Sequence, residues 1–233
     1  MKSIRKIKVV GAGGIGCHLL EPLSRYLSYV EDDCEITVID GDKFEDRNKD
    51  RQRFTSCENK AEHTVSKLKK DFPKVHFRSK PEYITNDNVI SLIRESDTIF
   101  LCVDNHNTRK LVSDRCEELE NVTLISGGND FTDGNVIFYK RVDGNDVGRS
   151  PTKLYSKIAN PEDKNPGTLT DNERQGCQQE AVANPQLLFM NLAIASTMLN
   201  CYYANEQGKA DFEQVYVDIL TQRSRPTPDK NMF

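Results

Sequence analysis

Three glycines, Gly11, Gly13 and Gly16, fall on a G-x-G-x-x-G spacing inside Ile7–Leu20. Before them runs a short β-branched stretch of Ile7, Val9 and Val10; after them Leu19, Leu20 and Leu23 recur at helical intervals. Strand, tight turn and helix in that order make a cradle for phosphate. Gly11 permits the sharp turn, Gly13 lets backbone approach a phosphate, and Gly16 lets the helix pack close to the sheet. The first N–H groups of the helix lack intrahelical partners and point at the ligand, so an anion is stabilised there. The bland alternative is a glycine-rich turn without a ligand. Downstream, Asp40 closes a second apolar run, Glu35–Ile39. An acid there can accept hydrogen bonds from a ribose hydroxyl, although Asp40-Gly41-Asp42 also reads as a turn. Arg47, Arg51 and Arg53 follow in a charged stretch that leaves the ligand edge of the sheet, within reach of phosphates. Lys60 opens the next helix, where a cation is unfavourable unless an anion is near.

The elements that must hold these residues form an α/β pattern. Strands are expected at 5–10, 35–39, 75–77, 98–103, 122–126, 135–140 and 215–220, and helices at 14–29, 59–71, 86–94, 107–119 and 185–203. The run Thr98–Val103 is almost wholly apolar, as a central parallel strand should be, and it ends on Asp104-Asn105. The expected fold is Rossmann-like: a mostly parallel, twisted sheet flanked by helices. Residues 141–176 are rich in Asp, Asn, Pro, Gly and Lys without a sustained period, and read as a crossover or lid loop with room for short helices or strands. Helix 185–203 is apolar around much of its circumference and calls for burial against the sheet or a partner subunit. Residues 1–222 are read as a single domain and 223–233, with Pro226 and Pro228, as a tail.

Composition narrows the classes. A net charge of −4 gives no basic face for nucleic acid. No apolar run approaches the ~20 residues of a membrane span. The chain runs almost at once into its first strand, leaving no room for a signal peptide. Its seven cysteines are scattered without a C-x-x-C pair, which argues against structural zinc and for a reducing cytoplasm.

Four blocks in order resemble the ThiF/MoeB adenylyltransferases, relatives of ubiquitin-activating enzymes. They are Val9–Gly16 with Gly11, Gly13, Gly14 and Gly16; Asp40-Gly-Asp42-Lys-Phe-Glu; Asn48-Lys-Asp-Arg51-Gln52 with Asn59-Lys60-Ala61; and Cys102-Val-Asp104-Asn105-His-Asn-Thr-Arg109. The resemblance implies a nucleotide site built from the four glycines, Asp40, Asp42, Asn48, Arg51, Gln52, Lys60, Asp104 and Asn105. Asp40 would bind ribose, Asn48, Arg51 and Lys60 the triphosphate, and Asp104 a Mg²⁺ ion, with Gln52 lining the pocket and Arg109 bracing the following helix. It implies ATP- and Mg²⁺-dependent adenylation of the C-terminal carboxylate of a small ubiquitin-like or sulfur-carrier protein ending in Gly, by a homodimer.

The chain departs from the family pattern in lacking an N-terminal helix with a trans-acting Arg and the paired zinc cysteines of many relatives. Its small size points to a stand-alone prokaryotic or phage-like form. Cys177 lies in Gln175-Gly176-Cys177-Gln178, before the long apolar helix. Two readings of it stand side by side: a thiolate that takes over the activated carrier, and an ordinary packed cysteine. Arg51, Lys60, Asp104 and Cys177 are the catalytic candidates. Two other functions stand beside this one, and the departures from the family pattern leave the first of them open. An inactive nucleotide-binding partner of another subunit would keep the cradle without turnover. A nicotinamide-dependent oxidoreductase gives no reason for Arg51, Lys60 and Asp104 to ring the loop.

Overall fold

The computed structural model describes residues 4–30, 33–45, 58–170 and 187–228. Its strands join one sheet in the order β3-β2-β1-β4-β5-β6-β8-β9. The first half is parallel: β3 (His76–Lys80), β2 (Cys34–Ile39), β1 (Arg5–Val10), β4 (Thr98–Leu101) and β5 (Val122–Asn129). The second half is antiparallel: β6 (Asp133–Val142), β8 (Phe212–Asp218) and β9 (Arg223–Pro228), with β7 (Asn145–Val147) on the free end of β6. The sheet is therefore Rossmann-like in its parallel half and mixed as a whole. Among the described residues no helix is long and apolar enough to cross a membrane.

Strand alternation sorts the core into two layers. Ile7, Val9, Ile36, Val38 and Phe100 face α1 (Gly16–Tyr29), α2 (Lys60–Asp71) and the long helix at 188–206. Val10, Ile39, Ile99, Leu101 and Tyr139 face α3 (Val89–Leu92) and α4 (His106–Glu117). Both layers are apolar because strands β1, β2 and β4 carry apolar residues on either side, the pattern of a sheet covered by helices on both faces.

Several boundaries differ from the sequence reading. The helix expected at 86–94 is only Val89–Leu92, because Asn88 and Thr85 spend their polar groups on a turn: Thr85 N–H donates to Asn88 Oδ1 at 2.8 Å. The stretch after 141 holds β7, α5 (Pro151–Leu154), α6 (Ser156–Ala159) and a 3₁₀ turn at Pro166–Thr168. The long apolar helix is α7, Leu188–Glu206. The tail expected from Arg223 is, through Pro228, strand β9. Proline removes a ladder donor, but β9 lies at the sheet edge, where only one side needs pairing.

Candidate functional site

The C-terminal ends of β1, β2 and β4 converge on a cleft of about 1310 Å³. Gly11 turns the chain out of β1 with φ +90°, and its N–H donates to Ile39 O at 2.9 Å. Helix α1 then starts hard against that turn: a Cβ on Gly16 would stand 2.0 Å from Gly11 O. Ile15 precedes α1 without a side-chain cap, and no acid lies in the first turn. Cys17 N–H already donates to Gly13 O and His18 and Leu19 N–H to Ile15 O, each at 3.1 Å, so the backbone that faces an outside anion is the turn ahead of them, Gly13–Gly16. Gly13 and Gly14 line the cleft.

Asp40 is buried at the end of β2 and clamps the glycine turn. Ala12 N–H donates to its Oδ2 at 2.6 Å and Asp42 N–H to its Oδ1 at 2.8 Å. The second bond is the turn role that Asp40-Gly41-Asp42 suggests. Burial, reinforced by neighbouring Asp42, pushes the Asp40 carboxyl up to about 6, against the opposing pull of Lys60 and the two N–H groups.

Lys60 heads α2 and is 8% exposed. Its Nζ lies 2.8 Å from Asp42 Oδ2. Burial works to lower its pKa, yet the carboxylates of Asp42, Asp40 and Asp104 outweigh it and the ammonium is held more firmly protonated than usual. Asn59 fixes the start of this helix. Its Oδ1 accepts from Ala61 and Glu62 N–H at 2.9 and 3.2 Å, and its Nδ2 donates to Asp40 O and Asp42 O at 2.8 and 3.0 Å. The capping half is legible in an Asn before a helix. The half that ties α2 to the acidic turn is not, since it joins positions 17 to 19 residues apart.

Asp104 follows β4 and stands exposed at the cleft. Asn105 caps α4, its Oδ1 accepting from Thr108 N–H at 2.8 Å and its Nδ2 donating to Lys164 O at 2.9 Å, so both ends of its amide are engaged. The buried Arg109 guanidinium donates to Ser126 Oγ at 2.8 Å, to Gly127 O at 2.7 Å and to Val103 O. It braces α4 against the ends of β4 and β5. Asp163 was invisible in the sequence: its carboxylate accepts from His106 and Asn107 N–H at 2.6 and 2.9 Å, fastening the crossover stretch over the start of α4.

The structure brings Gly11, Gly13, Gly14, Asp40, Asp42, Lys60, Asp104 and Asn105 to one cleft. Gly16 sits directly behind the turn. Asn48, Arg51, Gln52 and Cys177 lie outside the described residues. The ThiF family model matches residues 1–231. The chain belongs to the ThiF family. Among curated relatives, the adenylyltransferase and sulfurtransferase UBA4 of Debaryomyces hansenii is 27% identical over 227 residues, covering 94% of this chain and 46% of the relative. The adenylyltransferase and sulfurtransferase MOCS3 of Mus musculus is 32% identical over 114 residues, 47% of this chain and 24% of the relative. The chain thus spans about half or less of the length of these relatives. Among solved structures, the microcin C7 biosynthetic enzyme MccB in complex with N-formylated MccA superposes with a TM-score of 0.70 at 17% identity, covering 97% of this chain and 64% of that one. E. coli MccB with ATP gives 0.69 at 16% identity, over 97% and 63%. At such identities the likeness is one of fold.

Within this ThiF-family fold Cys34, Cys102, Cys116 and Cys201 are buried in the packing, whereas Cys17 is half-buried with its Sγ 3.4 Å from Gly14 O. Burial pushes the Cys102 and Cys201 thiols up to about 12 and raises that of Cys116. None of these three supplies a thiolate near neutrality.

Proposed function

We propose that this ThiF-family chain uses ATP and Mg²⁺ to adenylate the C-terminal carboxylate of a small ubiquitin-like or sulfur-carrier protein ending in Gly. The observation that carries the reading is Lys60. A protonated, nearly buried ammonium is held among Asp40, Asp42 and Asp104, in the same cleft as the uncapped start of α1. Such an arrangement suits a ligand with a polyphosphate at one end and a ribose at the other. The names of the curated relatives, both adenylyltransferases and sulfurtransferases, support it.

In this reading the backbone N–H groups of Gly13–Gly16 take the phosphates, and Asp40 accepts from the ribose. A carboxylate oxygen of the carrier attacks the α-phosphorus, the bond to the bridging oxygen breaks, and pyrophosphate leaves. Lys60, with Arg51 and Asn48, meets the charge that builds on the leaving group; preorganised donors of this kind are the usual largest source of rate. Asp104 fits Mg²⁺, because this ion takes one or two carboxylates together with phosphate oxygens. Among the described residues no group of three acidic, His or Cys side chains forms a closed metal cage. Bound Mg²⁺ would screen the phosphate oxygens. Gln52 lines the same pocket, and Asn105 and Arg109 keep Asp104 in place from behind.

Transfer to Cys177 would follow by attack of its thiolate on the acyl carbon, with AMP leaving and a thioester forming. We place the protein in the cytoplasm, where such a thiol stays reduced. The exposed Phe189, Leu192 and Tyr203 on α7 support a two-fold homodimer, which light scattering tests against the 26.5 kDa monomer. The activity is tested by ATP–pyrophosphate exchange with Mg²⁺ and carriers ending in Gly-Gly, comparing wild type with Asp104→Ala. Exchange in the wild type and its loss in the variant are expected. ATP binding without exchange would favour an inactive partner protein instead.

A further inference from the structure

His106 opens α4 two residues after Asp104, and the proposed chemistry gives it no task. Its imidazole is half-buried and lines the cleft. Nδ1 lies buried without a hydrogen-bond partner, so the open end of the ring is the one that carries Nε2. A proton on Nδ1 would be an orphaned buried donor, and an unshared lone pair there is the milder defect. The neutral ring therefore keeps its proton on Nε2 and presents one N–H to the cleft.

The neighbouring donors on α4 are turned inward. His106 and Asn107 N–H donate to the Asp163 carboxylate at 2.6 and 2.9 Å, Thr108 N–H to Asn105 Oδ1 at 2.8 Å and Arg109 N–H to Asn105 O at 3.2 Å. The Arg109 guanidinium is directed at Ser126, Gly127 and Val103, and the Asn105 amide at Lys164 O. The backbone of this helix start thus has no donor left for an anion, and the imidazole is what it adds to the cleft. Lys157 on α6 also lines the cleft, but an exposed ammonium on a flexible stem attracts an anion without fixing its orientation.

We propose that His106 Nε2–H donates to one oxygen of the carrier's terminal carboxylate, the oxygen that does not attack the α-phosphorus. The inference rests on the proposed adenylation. The need is one of orientation. A carboxylate arriving beside Asp104 meets a like charge, and its two oxygens are equivalent until something holds one of them. A neutral donor makes a charge-assisted hydrogen bond to one oxygen and leaves the other free to attack. The held oxygen becomes the carbonyl oxygen of the acyl adenylate. Because the carboxylate loses charge as the bond to phosphorus forms, the contact is no stronger in the transition state than before it. It therefore acts on carrier binding, and the KM for the carrier is the quantity it sets.

The test is ATP–pyrophosphate exchange with Mg²⁺ and a ubiquitin-like carrier ending in Gly-Gly that supports exchange in the wild type. A Gln amide nitrogen stands as many bonds from the backbone as Nε2, an Asn amide nitrogen only as many as Nδ1, and Leu offers neither. We expect His106→Leu and His106→Asn to raise the carrier KM about tenfold, the lower end of what a hydrogen bond to a charged group is worth. The KM for ATP and kcat should hold, and His106→Gln should restore most of the loss. Thermal melts and MgATP titrations check the fold and the nucleotide site of each variant; if the Leu variant fails to fold, the Gln and Asn pair decides. An unchanged carrier KM in His106→Asn, a His106→Gln variant as impaired as His106→Asn, or an equal rise in the KM for ATP would each overturn the inference and leave the proposed function standing. A wild type that supports no exchange with any such carrier would overturn both.

Discussion

Replacing Asp40 by Asn separates the electrical cost of this residue from its hydrogen bonding. Burial lifts the carboxyl from its ordinary 3.8 to about 6. A carboxyl whose folded pKa is raised binds a proton in the native state before it does in the unfolded chain. Stability therefore falls as pH rises from about 4 to 6, and the full cost is present above that window. Two pKa units correspond to about 3 kcal/mol, of which about 2 kcal/mol develops between pH 4.5 and 7.5. Asparagine removes the charge but offers one oxygen where Ala12 and Asp42 N–H need two, so one donor faces an NH₂ group at a cost of about 1–3 kcal/mol. These terms nearly offset each other at pH 7.5, and at pH 4.5 only the second remains in full. Urea denaturation of wild type and Asp40→Asn across this range should show the variant about equal at pH 7.5 and less stable by about 2 kcal/mol at pH 4.5. Titrating groups remote from Asp40 cancel in the difference. A stability difference that stays constant with pH would refute the reasoning, because it would mean that Asp40 titrates alike in both states.

Three further outcomes are expected. Gly16→Ala would drive a Cβ to 2.0 Å from Gly11 O, backbone that cannot swing aside, so α1 must retreat from the turn; a loss of at least about 1–3 kcal/mol in urea titration is expected, with weakened ATP binding, and wild-type behaviour would count against the packing described. Asp146 is held below the usual carboxylate range: burial opposes this, but hydrogen bonds from Lys153 and Tyr139 prevail. Its stabilisation is present above the unfolded pKa and lost as pH falls, and because Lys153 is 44% exposed Asp146→Asn should cost under about 1 kcal/mol at pH 7, vanishing in acid. Cys177→Ser should keep pyrophosphate exchange and lose a reductant-sensitive adduct with the carrier on a non-reducing gel; an adduct in both proteins, or in neither, would rule out the relay.

The sequence makes the parallel half of the sheet legible because its signals are local. A β-branched run, a glycine spacing and a helical apolar stripe each lie within a few residues, and β1, β2 and α1 appear within two residues of where they are expected. The antiparallel end is harder. Arg223–Pro228 carries two prolines and no alternation, and becomes a strand only because β8 presents a free edge with Val215 opposite Pro226. Crossover residues 151–169 look featureless for a similar reason. Their order comes from distant partners, Asp163 on the start of α4 and Asn165 on Ile84 O, which no periodicity encodes.

The site divides along the same line. Asp40, Lys60 and Asp104 are legible as types at the ends of elements, whereas Asn59 as a tie and Tyr83, whose Oη donates to Asp42 Oδ1 at 2.5 Å, are not, since each acts on a turn far away in sequence. Lys60 shows how the two levels meet. A cation on the first turn of a helix demands an anion, and the sequence points to a bound phosphate as the answer. In the structure the protein answers the demand itself, with Asp42 at 2.8 Å and Asp40 and Asp104 behind it. Those acids keep the ammonium charged and in the cleft before any ligand arrives, so its position and protonation are settled ahead of binding. Under the proposed use of ATP, a triphosphate would have to draw this ammonium away from Asp42, so the hold of that carboxylate would enter into how tightly the cleft takes it.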